Sequence, residues 1–120
     1  MMEKQIEIGI GDPISTATGF IDAWKRAEIG EEREVSQRLY FENLETLLKT
    51  LTSTRWVLLK RLRTMGAVSI RALARELGRD YKNVHTDVKR LQNVGLIECT
   101  EASKIEVPWD ILEARLKLAA

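Results

Sequence analysis

The stretch that decides the fold is Ser69–Gly95, "SIRALARELGRDYKNVHTDVKRLQNVG". Ser69 is a good N-cap, Ile70, Leu73, Ala74 and Leu77 recur at helical spacing, and Gly78 can stop the helix. A second helix begins almost at once behind Asp80, runs through Val84, Val88 and Leu91, and ends at Gly95. Two helices joined by a tight glycine-containing turn form a helix-turn-helix, and the residues that follow extend it. "LIECT" and "KIEV" predict two short strands joined by "EASK", a hairpin that serves as a wing.

Working outward, "TSTRWVLLKRLRTMG" predicts the third helix of the bundle, with a Thr/Ser cap, Trp56, Leu59, Leu62 and Met65 facing inward, and Gly66 closing it. "ENLETLLKTL" places Leu44, Leu47, Leu48 and Leu51 on one helix face. Nearer the N-terminus, "KQIEIGI" alternates Ile6, Ile8 and Ile10 with polar residues as a half-buried strand does. Asp12 and Pro13 then open a helix that carries Ile14, Ala17, Ile21 and Trp24. "EERE" is an acidic loop. "VSQRLYFE" predicts a second strand that pairs with the first, with Leu39 and Phe41 on one side and Tyr40 on the other. At the C-terminus, Asp110 is placed to cap a short helix in "PWDILEARLKLAA". The expected fold is mainly α with a small β component (α+β): a winged helix-turn-helix over residues 51–120, preceded by a strand-helix-strand extension over residues 1–50.

Bulk composition bounds the function. The 120 residues are 44% hydrophobic and 31% charged, which fits a folded domain. No apolar run approaches the ~20 residues that a membrane span requires, and neither a secretory nor a transit signal is evident, so a cytoplasmic location is expected. Cys99 is the only cysteine and His85 the only histidine, too few for a structural zinc site. No nucleophile motif, no phosphate-binding glycine loop and no dinucleotide fingerprint is found; "GIGDP" is a turn. Neither a cofactor nor catalysis is expected.

The net charge of +1 conceals a strong partition. Residues 1–54 hold six Lys/Arg against ten Asp/Glu, residues 55–90 hold ten against three, and residues 91–120 hold three against five. A block of +7 between acidic flanks is an electrostatic footprint for a polyanion, or else a set of solvated faces rich in arginine.

A helical wheel places that charge. At about 100° per residue, Val88 and Leu91 point within roughly 40° of Val84 and define an inward line. Opposite lie Lys82, Thr86, Lys89 and Asn93, with Arg79, Asn83 and Arg90 to one side and Tyr81, His85 and Gln92 on the other flank. Lysine and arginine bind phosphates or guanine edges, and asparagine can contact adenine in bidentate fashion. Arg79, Lys82, Asn83 and Thr86 occupy the turn where a recognition helix meets bases, while Lys89 and Arg90 are placed for phosphates. Arg71 and Arg75, facing away from the buried stripe of their helix, are candidates for anchoring the backbone. Tyr81 suits either a phosphate contact or the edge of the core. His85 has no partner for catalysis or metal binding, which leaves local packing or a phosphate contact. The wing offers Lys104, opposed by Glu101, for at most a phosphate contact.

The core "GRDYKNVH-DVK-L---GLIE", together with "VPWD", "IEIGIGDP" and "LYFENLETLLKTLTSTRWVLLKRL", resembles a family of small prokaryotic transcriptional regulators with a MarR/ArsR-like winged helix. The resemblance covers nearly the whole chain and departs at Thr86, where members often carry arginine. It implies DNA-binding regulation; some relatives are thought to be autoregulating antitoxins. The expectation is therefore a homodimeric repressor of double-stranded DNA. The alternative is an antitoxin that also neutralises a toxin protein through acidic residues such as Glu28, Glu31, Glu32 and Glu34.

Overall fold

The computed structural model describes residues 3–11 and 35–116. The helix expected from Asp12 through Trp24 and the acidic residues Glu28–Glu34 lie outside the described residues. The chain divides into two compact units, one made of Met1–Leu47 with Trp109–Ala120 and the other of Leu48–Pro108. The first therefore draws on both ends of the chain, whereas by sequence alone everything after residue 50 is expected in a single domain.

In that first unit, β1 (Gln5–Ile10) lies between β2 (Val35–Phe41) and β5 (Ile111–Ala114), and pairs with both in parallel. As the central strand of the three, β1 is most buried over its first half. Gln5, Ile6 and Ile8 are all buried, and the Gln5 amide meets its need for a partner by donating Nε2 to Glu113 Oε2 at 2.7 Å. Gly9 allows a close approach: a Cβ there would sit 2.9 Å from the ring of Tyr40, its register partner on β2. Phe41 is buried while Tyr40 is exposed, as the alternation of β2 requires.

The C-terminal segment corrects an expectation. Asp110 caps no helix; its Oδ2 accepts from the Lys4 backbone N–H at 2.9 Å, and its own N–H donates to the Lys4 carbonyl at 2.8 Å. That exchange sets the register in which Ile111–Ala114 pair along Gln5–Ile8 as a strand.

α1 (Leu44–Thr50) is capped by Asn43, whose Oδ1 accepts from the Thr46 N–H at 2.8 Å. Of the expected leucine face only Leu47 is buried; Leu44 and Leu48 are exposed and the helix stops before Leu51. α2 (Ser53–Met65) starts behind Thr52, whose hydroxyl accepts from the Arg55 N–H. Its buried arc is Leu58, Leu59 and Leu62, and Trp56 is exposed rather than inward. At about 100° per residue the buried arc runs from Leu58 through Leu62 to Leu59, and Trp56 lies about 160° from Leu58, past its edge.

α3 (Ile70–Leu77) begins at Ser69, whose Oγ accepts from the Ala72 N–H at 3.1 Å, and buries Leu73 and Ala74. Gly78 ends it in the left-handed region at φ 64°, ψ 32°, where a side chain is strained. α4 (Tyr81–Asn93) follows after three residues, Gly78, Arg79 and Asp80. Asp80 holds the N-cap position in extended conformation but makes no side-chain cap bond. β3 (Glu98–Cys99) and β4 (Ile105–Glu106) form an antiparallel hairpin shorter than the expected strands. Val68 adds a bridge to Ile105, secured by reciprocal N–H to carbonyl bonds of 3.1 and 2.8 Å. The unit is thus an α+β arrangement in which α3 packs on α4 and α2, over a core that also takes in Leu96, Ile97, Ile105 and Val107.

Candidate nucleic-acid interface

The α3–Gly78–α4 corner aims α4. The α4 inward line is complete: Val84, Val88 and Leu91 are each wholly buried. Burying each of these side chains contributes about 1.5–3 kcal/mol and leaves the helix one way to sit. The opposite side is fixed by the same constraint. Lys82, Asn83, Thr86, Lys89, Arg90 and Asn93 are all exposed. No hydrogen bond or ion pair with another described residue holds the side chains of Lys82, Asn83 or Arg90. The Thr86 hydroxyl donates to the Lys82 carbonyl at 3.1 Å, which orients it and keeps its acceptor lone pairs outward. Lys89 reaches Gln92 Oε1 only at 3.5 Å, a limiting distance that does not restrain the ammonium.

Asp87, the one carboxylate within α4, is removed from this surface. It flanks the inward line and accepts from Arg55 Nε at 3.0 Å through one oxygen and from Arg79 Nη2 at 2.8 Å through the other. Arg55 also donates Nη1 to the carbonyls of Lys49 and Thr50, the last residues of α1, at 3.2 and 2.8 Å. One guanidinium thereby ties the end of α1 and the start of α2 to the middle of α4. Helical spacing alone places Arg79 among residues facing bases, whereas in the structure its guanidinium lies on Asp87. Neither Arg55 nor Asp87 stands out by spacing. A carboxylate about 60° from an apolar line, in a chain otherwise basic in that region, is the signal that a cation must meet it.

A second cluster joins the two helices on the other flank. The Arg71 guanidinium of α3 lies 4.8 Å from the centroid of the Tyr81 ring, within range of a cation–π contact. Tyr81 in turn meets His85, one helical turn on, at 5.9 Å between centroids and 43° between planes. His85 is half-buried and thus packs locally, while Tyr81 remains exposed at its edge. Arg75 is exposed on α3. Arg61 and Glu76 pair at 3.3 Å between α2 and α3; both are about half exposed, so the pair adds little to stability.

The hairpin turn is small. Thr100 N–H donates to Lys104 O at 2.7 Å, and Ser103 takes a positive φ of 57° to close it. Lys104 and Glu101 are both exposed there, so the turn carries no net charge of its own. Among the described residues no three His, Cys, Asp or Glu side chains gather as metal ligands, and no helix is long and apolar enough to cross a membrane.

Fold and face together define a small α+β protein that presents a cationic, amide-bearing helix on a packed helical core. The model of the HVO_A0114 family matches residues 50–114, more than half of the chain, and the protein belongs to that family. The match takes in all of α2, α3, α4 and the hairpin. No curated protein and no solved structure matches the chain.

Proposed function

We propose that this protein is a sequence-specific DNA-binding transcriptional regulator, a repressor, that inserts α4 into the major groove as the recognition helix of a winged helix-turn-helix. The observation that carries the reading is the division of α4: an inward line with no exposed surface, and an outward face of Lys82, Asn83, Thr86, Lys89 and Arg90 with its only acid sequestered. A helix of 13 residues is about 20 Å long and about 10–12 Å across with its side chains, which suits a major groove roughly 12 Å wide. Asn83 and Lys82 in the first turn face base edges, Lys89 and Arg90 hold phosphates further along, and Arg75 anchors the backbone from α3. The order helix, bridge, helix, helix, hairpin supports the winged form, as does the resemblance of "GRDYKNVH-DVK-L---GLIE" to MarR/ArsR-like regulators.

One such helix covers too few base pairs for selective binding, so the active species is a homodimer on a pseudo-palindromic site with half-sites about 34 Å apart. Selection of bound fragments from random duplex DNA tests the whole reading. The expected result is enrichment of a two-fold-related pair of half-sites about one helical turn apart. Recovery of unenriched sequence at near-physiological salt refutes it.

A further inference from the structure

We infer that Asp87 limits the sequence-independent part of DNA affinity, because it withholds the Arg79 guanidinium from DNA phosphates. The inference rests on the DNA-binding reading above and concerns a residue that does not itself touch DNA. Arg79 stands two residues before the first residue of α4, at the end of a recognition helix that lies closest to the duplex. A free guanidinium in that position binds any phosphate it meets, and such contacts raise affinity for every sequence alike. The gain is common to all sites and cancels from their ratio, so it appears as affinity and salt dependence rather than as discrimination.

The geometry prevents this. Arg79 Nη2 is held at 2.8 Å by Asp87 Oδ2, and Arg79 Nη1 is buried with no hydrogen-bond partner. Among the described residues no other acceptor bonds the guanidinium, so the Asp87 carboxylate is its one polar anchor. Asp87 is itself kept in place by Arg55, which is anchored independently on the Lys49 and Thr50 carbonyls. Asp87 and Arg55 side chains are each only 14% exposed, against 28% for Arg79, so Arg79 is the looser member of the triad. Removing the charge of Asp87 therefore frees Arg79 first.

Binding of a random-sequence duplex, followed by fluorescence anisotropy across a series of salt concentrations, tests this with wild type, Arg79→Ala, Asp87→Asn and the double variant. Thermal melting establishes that each is folded. Arg79→Ala is expected to leave the salt slope unchanged, since Arg79 makes no phosphate contact. Asp87→Asn is expected to bind the random duplex more tightly, with a slope steeper by about 0.9 for the one added phosphate contact. The double variant is expected to return to the wild-type slope, which assigns the gain to Arg79 rather than to the lost negative charge. A slope lowered by about one unit in Arg79→Ala overturns the inference and places Arg79 on DNA. A folded Asp87→Asn protein with the wild-type slope also overturns it. Should Asp87→Asn fail to fold, the Arg79→Ala result decides alone. Failure of the wild type to bind any duplex removes the DNA-binding reading itself, an outcome distinct from either of these.

Discussion

Two exposed parts of the helical unit, the outward side of α4 and the turn Thr100–Lys104, are both polar and both follow a glycine-stopped helix, yet they differ in what they can do. The side chains of α4 stand on a line of three wholly buried residues, so their spacing is fixed to within the play of a rotamer. Their charges have one sign, because Asp87 is neutralised by two arginines. The turn stands on strands of two residues each and sets Glu101 beside Lys104. A surface that reads another molecule needs a rigid support and a coherent sign as well as exposure, and of these two parts α4 has both.

The largest effect is expected where that support is removed. Leu91→Ala deletes a wholly buried side chain from the inward line and is expected to cost about 2–5 kcal/mol of folding free energy, measured by denaturant unfolding. Glu101→Ala in the turn is expected to change stability by less than about 0.5 kcal/mol. Equal losses for the two would erase the contrast in rigidity.

Next comes the proposed reading edge. Asn83→Ala is expected to leave stability near wild type and to lower discrimination by ~1–3 kcal/mol at one or two base pairs, measured against a panel of single-base operator variants. A uniform loss over the whole panel would move Asn83 from bases to phosphates.

Smaller and different in kind are the effects of Lys89→Ala and Arg90→Ala. Each is expected to weaken binding to all sequences and to reduce the salt slope by about 0.9. The smallest effect belongs to Lys104→Ala, which removes at most one phosphate contact and no discrimination. A change in base preference from Lys104→Ala would make the hairpin a second reader and break the comparison.

Much of this arrangement is legible in the sequence where contacts are local. The Ser69 cap, the Gly78 stop and the inward line Val84–Val88–Leu91 follow from spacings of three and four residues, and each is found as expected. The strands β1 and β2 are legible for the same reason, since alternation marks a strand wherever it lies, although their pairing is a long-range contact that alternation does not dictate. What escaped depends on residues far apart. Asp110 reads as a helix cap until Lys4, 106 positions away, takes its carboxylate and turns Ile111–Ala114 into a strand. Trp56 reads as core because a three-residue spacing mimics a helix face over two steps. The Arg55–Asp87 bond spans 32 positions, and the bond that holds Arg79 on Asp87 crosses the turn before α4, so helical spacing shows neither and leaves Arg79 looking like a free cation at the start of α4. Local periodicity therefore identified the candidate interface, whereas its charge distribution was set by tertiary contacts.

The central claim is that α4 is the surface that meets DNA. Titration of the isotope-labelled protein with an operator-length duplex, followed by backbone amide chemical shifts, tests it most directly. The account predicts that the largest shifts fall on Lys82, Asn83, Thr86, Lys89 and Arg90, with little change along β1 and β5. Shifts concentrated on the sheet strands with α4 unmoved, or no shifts at all, contradict it.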